Sequence, residues 1–135
     1  MLALEPLIQE RLRALPVFTG WQVRGGTVAT DRRGVPGVDV RMAGASVAQL
    51  RKPAVSLQPL WVVSLVVQRG DGGADQLGGA LVAVIGSLHN WRPEVAGRSW
   101  TELQVAGVSE AQFSDSGFAG YEITFTTVAV FDGQP

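Results

Sequence analysis

A chain of 135 residues with 46% hydrophobic content and no cysteine has room for one sizeable core, and it holds that core without disulfides or thiolate-bound metal. The formal charge is −1, and no apolar run approaches the about 20 residues of a membrane-spanning helix, so no membrane association is expected. That charge is unevenly spread: residues 1–70 hold nine Arg or Lys against four Asp or Glu, and residues 71–135 hold two against eight. Ten of the eleven basic residues are arginine and only Lys52 is lysine, which suits planar, multi-donor contacts at interfaces.

Leu4, Leu7, Ile8, Leu12 and Leu15 recur at helical spacing, with Pro6 early enough for a first turn and Pro16 as the stop. Glu5, Glu10, Arg11 and Arg13 interrupt this segment, so it is not expected to be a secretory signal. Trp21–Arg24 alternates as a short strand. Thr27–Gly37, with Asp31, Arg32, Arg33 and Pro36, reads as an exposed loop or a mobile hairpin tip. Val38–Met42 alternates again, and Ala43–Pro59, bracketed by Pro53 and Pro59, reads mostly as loop. Leu60–Val67 is an apolar run rich in β-branched residues, the pattern of a strand buried on both faces.

The glycine-dense turn Gln68–Gly73 leads into a stripe of Leu77, Leu81, Val82, Ile85 and Leu88. This is a second amphipathic helix, capped by Asp75 or Asp71 and ended before Pro93. Arg92–Ser99 is a connection. Trp100–Val108 and Tyr121–Phe131 read as two more strands, with Ser109–Gly120 a bend or long loop between them. The last two strands, and likewise the first two, are placed to pair through turns. The order predicts a single α+β domain over residues 1–135, a mostly antiparallel sheet of about five strands with two helices on one face. Leu7, Ile8, Leu12, Trp61, Val63, Leu65, Leu81, Ile85, Ile123 and Phe125 are the expected core.

Catalytic patterns are thin. His89 is the only histidine; it sits where a helix ends, and its expected role is structural, to bond the free carbonyls there or favour the negative end of the dipole. No G-x-S-x-G occurs. The strand-turn-helix at Gln68–Gly79 lacks the lysine of a phosphate-binding loop, and Asp71 and Asp75 would repel phosphate. Arg69-Gly70-Asp71 matches an adhesion tripeptide at a length expected by chance. No zinc or calcium ligand spacing is present, so neither enzyme activity nor a cofactor is expected. Arg24, Arg32, Arg33 and Arg41 give some support for nucleic acid, against an acidic overall balance. Of the four tryptophans, Trp91 beside Arg92 and Pro93 is the one placed to meet a partner.

Taken together, the leucine-striped first helix, Trp61–Val67, the helix running into Leu88-His89-Asn90-Trp91-Arg92-Pro93, and the closing pair Trp100–Val105 and Tyr121–Phe131 resemble the tail terminator proteins of long-tailed bacteriophages. The resemblance lies in size and element order over nearly the whole chain, not in an active-site motif. It implies an α+β subunit of a hexameric ring in the virion, assembled in the host cytoplasm. The ring caps the head-proximal end of the tail tube, stops its polymerisation and joins the head–tail connector or neck. DNA would pass through the bore without sequence-specific binding. The alternatives are a neck or head–tail connector protein and, from another class, a small ligand-binding domain. The implied working loops are Gly25–Gly37, Ala43–Pro59 and Ser109–Gly120. The charge split adds a basic patch drawn from Arg24, Arg32, Arg33, Arg41 and Arg51. This would meet an acidic one on the next copy, drawn from Asp71, Asp75, Glu94 and Glu102, with buried apolar area holding the ring.

Overall fold

The computed structural model describes residues 1–26, 35–113 and 117–135. In chain order the elements are α1 (Leu4–Arg13), a 3₁₀ turn (Pro16–Phe18), β1 (Gln22–Gly25), β2 (Gly37–Arg51), β3 (Ala54–Gln68), α2 (Gly73–Leu88), β4 (Glu94–Val95), β5 (Arg98–Ser99), β6 (Gln104–Glu110), β7 (Phe118–Thr126) and β8 (Ala129–Asp132). The fold is α+β. Its main sheet has six strands, ordered β1-β2-β3-β7-β6, with β8 on the far end of β3. All pairings in that sheet are antiparallel except β1 with β2.

β3 is the spine, and its apolar run explains why. Trp61, Val63, Leu65 and Val67 join Leu4, Ile8 and Leu12 of α1 and Leu77, Ala80, Val84 and Leu88 of α2 in one core. Val62 and Val66, on the other face, are buried as well, so this segment is covered on both sides as the run predicts. Ile123 and Phe125 of β7 complete the helix-bearing face. Each large side chain buried here contributes about 1.5–3 kcal/mol of transfer free energy.

Several expectations are corrected. The first two strands do pair, but in parallel, not as a hairpin. Residues 43–59 are not a loop: they form the distal halves of β2 and β3, a long antiparallel hairpin with bulges between Met42 and Gly44 and between Val47 and Gln49. The strand expected at Trp100–Val108 begins at Gln104 and runs to Glu110. Before it, Trp100 and Leu103 are buried in irregular backbone. The Arg92–Ser99 connection contains the small β4–β5 hairpin. Of the expected loop at Ser109–Gly120, both ends are strand and residues 114–116 lie outside the described residues. Residues 27–34 of the loop expected to be mobile lie outside them too.

The helix phase also differs. α2 turns Leu77, Ala80, Val84 and Leu88 to the core, leaves Leu81 and Ile85 half-buried against it, and exposes Val82 by 71%. Leu7 of α1 is likewise half-buried. Neither aspartate caps α2. Gly72, in the left-handed region at φ 84°, takes that position, and its carbonyl accepts from the Gln76 N–H at 2.9 Å. Gly72 has no Cβ to oppose the left-handed turn. Asp75 falls instead in the first helical turn, where its charge favours the helix dipole.

Candidate assembly surfaces

The outer face of the sheet carries a polar row. Arg24 on β1 donates to both carboxylate oxygens of Asp39 on β2, at 2.9 and 3.1 Å. The fork of a guanidinium matches a carboxylate in this way, and both side chains are largely shielded from water. Two residues further along β2, Arg41 reaches Glu122 of β7 at 3.6 Å and is more exposed. The structure thus brings Arg24 and Arg41 onto one face, with each balanced by an acid of its own subunit. Arg32 and Arg33 lie outside the described residues.

The end of α2 is a second polar centre. The backbone turns at Asn90 with φ 67°. The Asn90 N–H donates to the Leu103 carbonyl at 2.6 Å, and the Leu103 N–H to the Trp91 carbonyl at 2.8 Å. His89 does not bond helix carbonyls; its Nδ1 accepts the Val105 N–H at 3.1 Å, which ties the helix end to β6. Trp91 is half-buried, with the Arg11 guanidinium 4.6 Å above its ring, and Arg11 donates to the Ser87 carbonyl. Beside it, Arg92 donates to Glu102 at 2.7 Å. The Glu102 carboxyl is held below its ordinary value, first by its own backbone N–H and then by the Arg92 hydrogen bond and charge. So Trp91 and Glu102 share one corner. Asp71 and Asp75 stand exposed at the opposite end of the 16-residue α2, about 24 Å away at helical rise.

At that acidic end, a cleft of about 520 Å³ opens between the start of α2 and the end of the sheet. Val67, Leu77, Leu81, Ala119 and Tyr121 form its apolar wall, with Arg69 and Glu110 on its border. Arg69 is committed in part, donating from Nε to the Phe118 carbonyl at 3.0 Å.

The opposite end of β3 carries the feature the sequence reading missed. Beyond Met42, β2 buries no side chain, and β1 covers only its Gly37–Val40 portion. The outer edge of β2 therefore runs on unpaired by any described strand to the tip at Arg51. Val47 and Leu50 on this arm are 62% and 66% exposed. They register against Leu57 and Val55, which in turn pair with Ala129 and Phe131 of β8, forming one apolar face. The signal was present in Val55 and Leu57, which alternate. The two bulges hid the rest, because they space the inward apolar positions of β2 as Met42, Ala45, Val47 and Leu50, which matches no period of two.

Among the described residues no group of three or more His, Cys, Asp or Glu is placed to hold a metal ion, and no helix is long and apolar enough to cross a membrane. No protein-family model matches the chain, and no curated protein does. Among solved structures, a chain of the "Virion of native gene transfer agent (GTA) particle" matches with a TM-score of 0.67 over 92% of both chains, at 15% identity. The chain therefore shares its fold with a component of that virion particle.

Proposed function

We propose that this chain is a structural virion protein of a phage-like particle, acting as a tail terminator. In this reading six copies close into a ring on the head-proximal end of the tail tube. The ring stops tube growth and presents a surface to the head–tail connector, and DNA passes through its bore unread. The observation that carries the structural role is the end-to-end fold likeness to a virion component at 92% coverage of both chains. The two exposed ends of the sheet, the β2–β3 arm and the cleft by α2, support assembly rather than catalysis. Interfaces of this kind use apolar and arginine-rich patches more than reactive groups. A neck or connector protein of the same virion fits the fold likeness as well.

Deleting the protein from a particle-producing strain separates the two. A terminator's loss leaves tubes that grow past their normal length. A neck protein's loss leaves tails of normal length that stay apart from heads. Electron microscopy of the lysate reads the difference, and wild-type particles lacking the protein would sink both readings. Negative-stain images and the mass of the purified protein give the ring number.

A further inference from the structure

We infer that the tip of the β2–β3 arm of one copy seats in the α2 cleft of the next copy, and that this contact closes the ring. The inference names the surfaces of the ring proposed above and rests on that reading. The two surfaces complement each other. The tip presents Leu50, 66% exposed, followed by Arg51 and Lys52, and neither cation has an ion pair among the described residues. Asp132 of β8 is registered opposite Ala54, beside them. The cleft offers an apolar wall of Val67, Leu77, Leu81 and Tyr121. Glu110 borders it, and Asp71 and Asp75 flank its lining residues Gly70, Gly73 and Ala74; among the described lining residues the cation is Arg69. A basic tip with an apolar side chain thus faces an acidic border around an apolar hollow. Its volume of about 520 Å³ leaves ample room for a leucine side chain.

Geometry excludes a contact within one copy. Leu50 registers with Val55, whereas the cleft lies at Val67. Twelve residues of extended β3 separate these positions, about 40 Å at strand rise. The tip of a chain cannot reach its own cleft, so the contact joins unlike surfaces of two copies. Repeated head to tail, such a contact closes into a ring or runs on as a filament.

The test uses two variants that each disable one half. Leu50→Glu removes the apolar tip residue and sets an acid against the acidic border. Gly78→Trp fills the cleft from a helical position where an added Cβ meets nothing within 4 Å. Both positions are exposed, and circular dichroism checks that both variants fold. By analytical ultracentrifugation the wild type is expected to form closed oligomers. Each variant alone is expected to lose association by roughly tenfold or more, the size of an interface anchor. Mixed one to one, the variants are expected to stop at a dimer, because one intact tip meets one intact cleft. In the cysteine-free chain, the double variant Leu50→Cys with Gly78→Cys should oxidise to a ladder of cross-linked oligomers. A wild type that assembles while either variant assembles equally well overturns this contact and leaves the ring reading standing. So does a mixture of two association-defective variants that stays monomeric. A wild type that remains monomeric at every concentration overturns both.

Discussion

Asp39 grips Arg24 by both carboxylate oxygens, at 2.9 and 3.1 Å, across the one parallel pair among the described strands. The pair fixes β1, a four-residue edge strand, to the side of β2. This changes what a substitution at Arg24 measures. A charge reversal there leaves Asp39 facing a second acid in a partly buried site, so it disturbs the subunit before it disturbs any contact between copies.

Asp39→Ala is therefore expected to lower the unfolding free energy by about 1–3 kcal/mol, since it removes the bidentate, charge-assisted contact to Arg24 in a partly buried site. Arg41→Ala, whose partner lies at 3.6 Å and whose side chain is 45% exposed, is expected to cost under about 1 kcal/mol. Urea unfolding of the two variants gives the comparison. Equal costs would mean that the bidentate geometry adds nothing.

Gly120, on β7, lies hard against the backbone of β3. An added Cβ would run into the Leu65 carbonyl oxygen and come within 3.1 Å of the Phe113 ring. The carbonyl is backbone and cannot swing aside. Gly120→Ala should cost about 1–3 kcal/mol, the usual effect of overpacking. Gly86→Ala on α2, where the added Cβ meets nothing within 4 Å, should instead stabilise by about 0.5–1 kcal/mol through helix propensity. Thermal melts should move in opposite directions.

The phase of α2 predicts a sharp contrast between neighbours. Val84 is fully buried and Val82 is 71% exposed. Val84→Asp places a charge in the core and should leave no folded protein at 37 °C. Val82→Asp should change stability by about 0.5 kcal/mol or less. A soluble, cooperatively folding Val84→Asp variant would show that the helix faces the sheet by another side.

Glu102 makes part of the stability pH-dependent. Its carboxyl is lowered in the folded chain from 4.5, so the folded state favours the ionised form. Its contribution is complete well above 4.5 and is lost as pH falls through the lowered folded value. Arg92→Gln weakens that preference, and stability should then fall less steeply on the acid side while changing little in slope near neutrality. Melting temperatures between pH 7 and pH 3 follow it, and parallel curves for the variant and wild type would remove Glu102 from the account.

Read from residue order, the elements that bury large apolar side chains at regular spacing were legible. The stripe of α1 and the run Leu60–Val67 each follow from one local period, and they place the two helices on one face of a mostly antiparallel sheet; the alternation of Tyr121–Phe131 holds in its burial, but the single strand expected there is broken after Thr126 into β7 and β8. The α2 phase was not legible, because the helix is apolar most of the way round. Which side meets the sheet depends on small Ala80 and Val84 fitting a surface that only the assembled strands create. The parallel sense of β1 was hidden too, since pairing direction belongs to the path of the connection rather than to the strands. The β2–β3 arm escaped because two bulges break its period. The union of Asp71, Asp75 and Glu110 beside one cleft, some 40 Å along β3 from Arg51, needed the folded chain. Sequence records which residues carry charge and apolar area, but the register of β3 alone sets which of them stand at opposite ends.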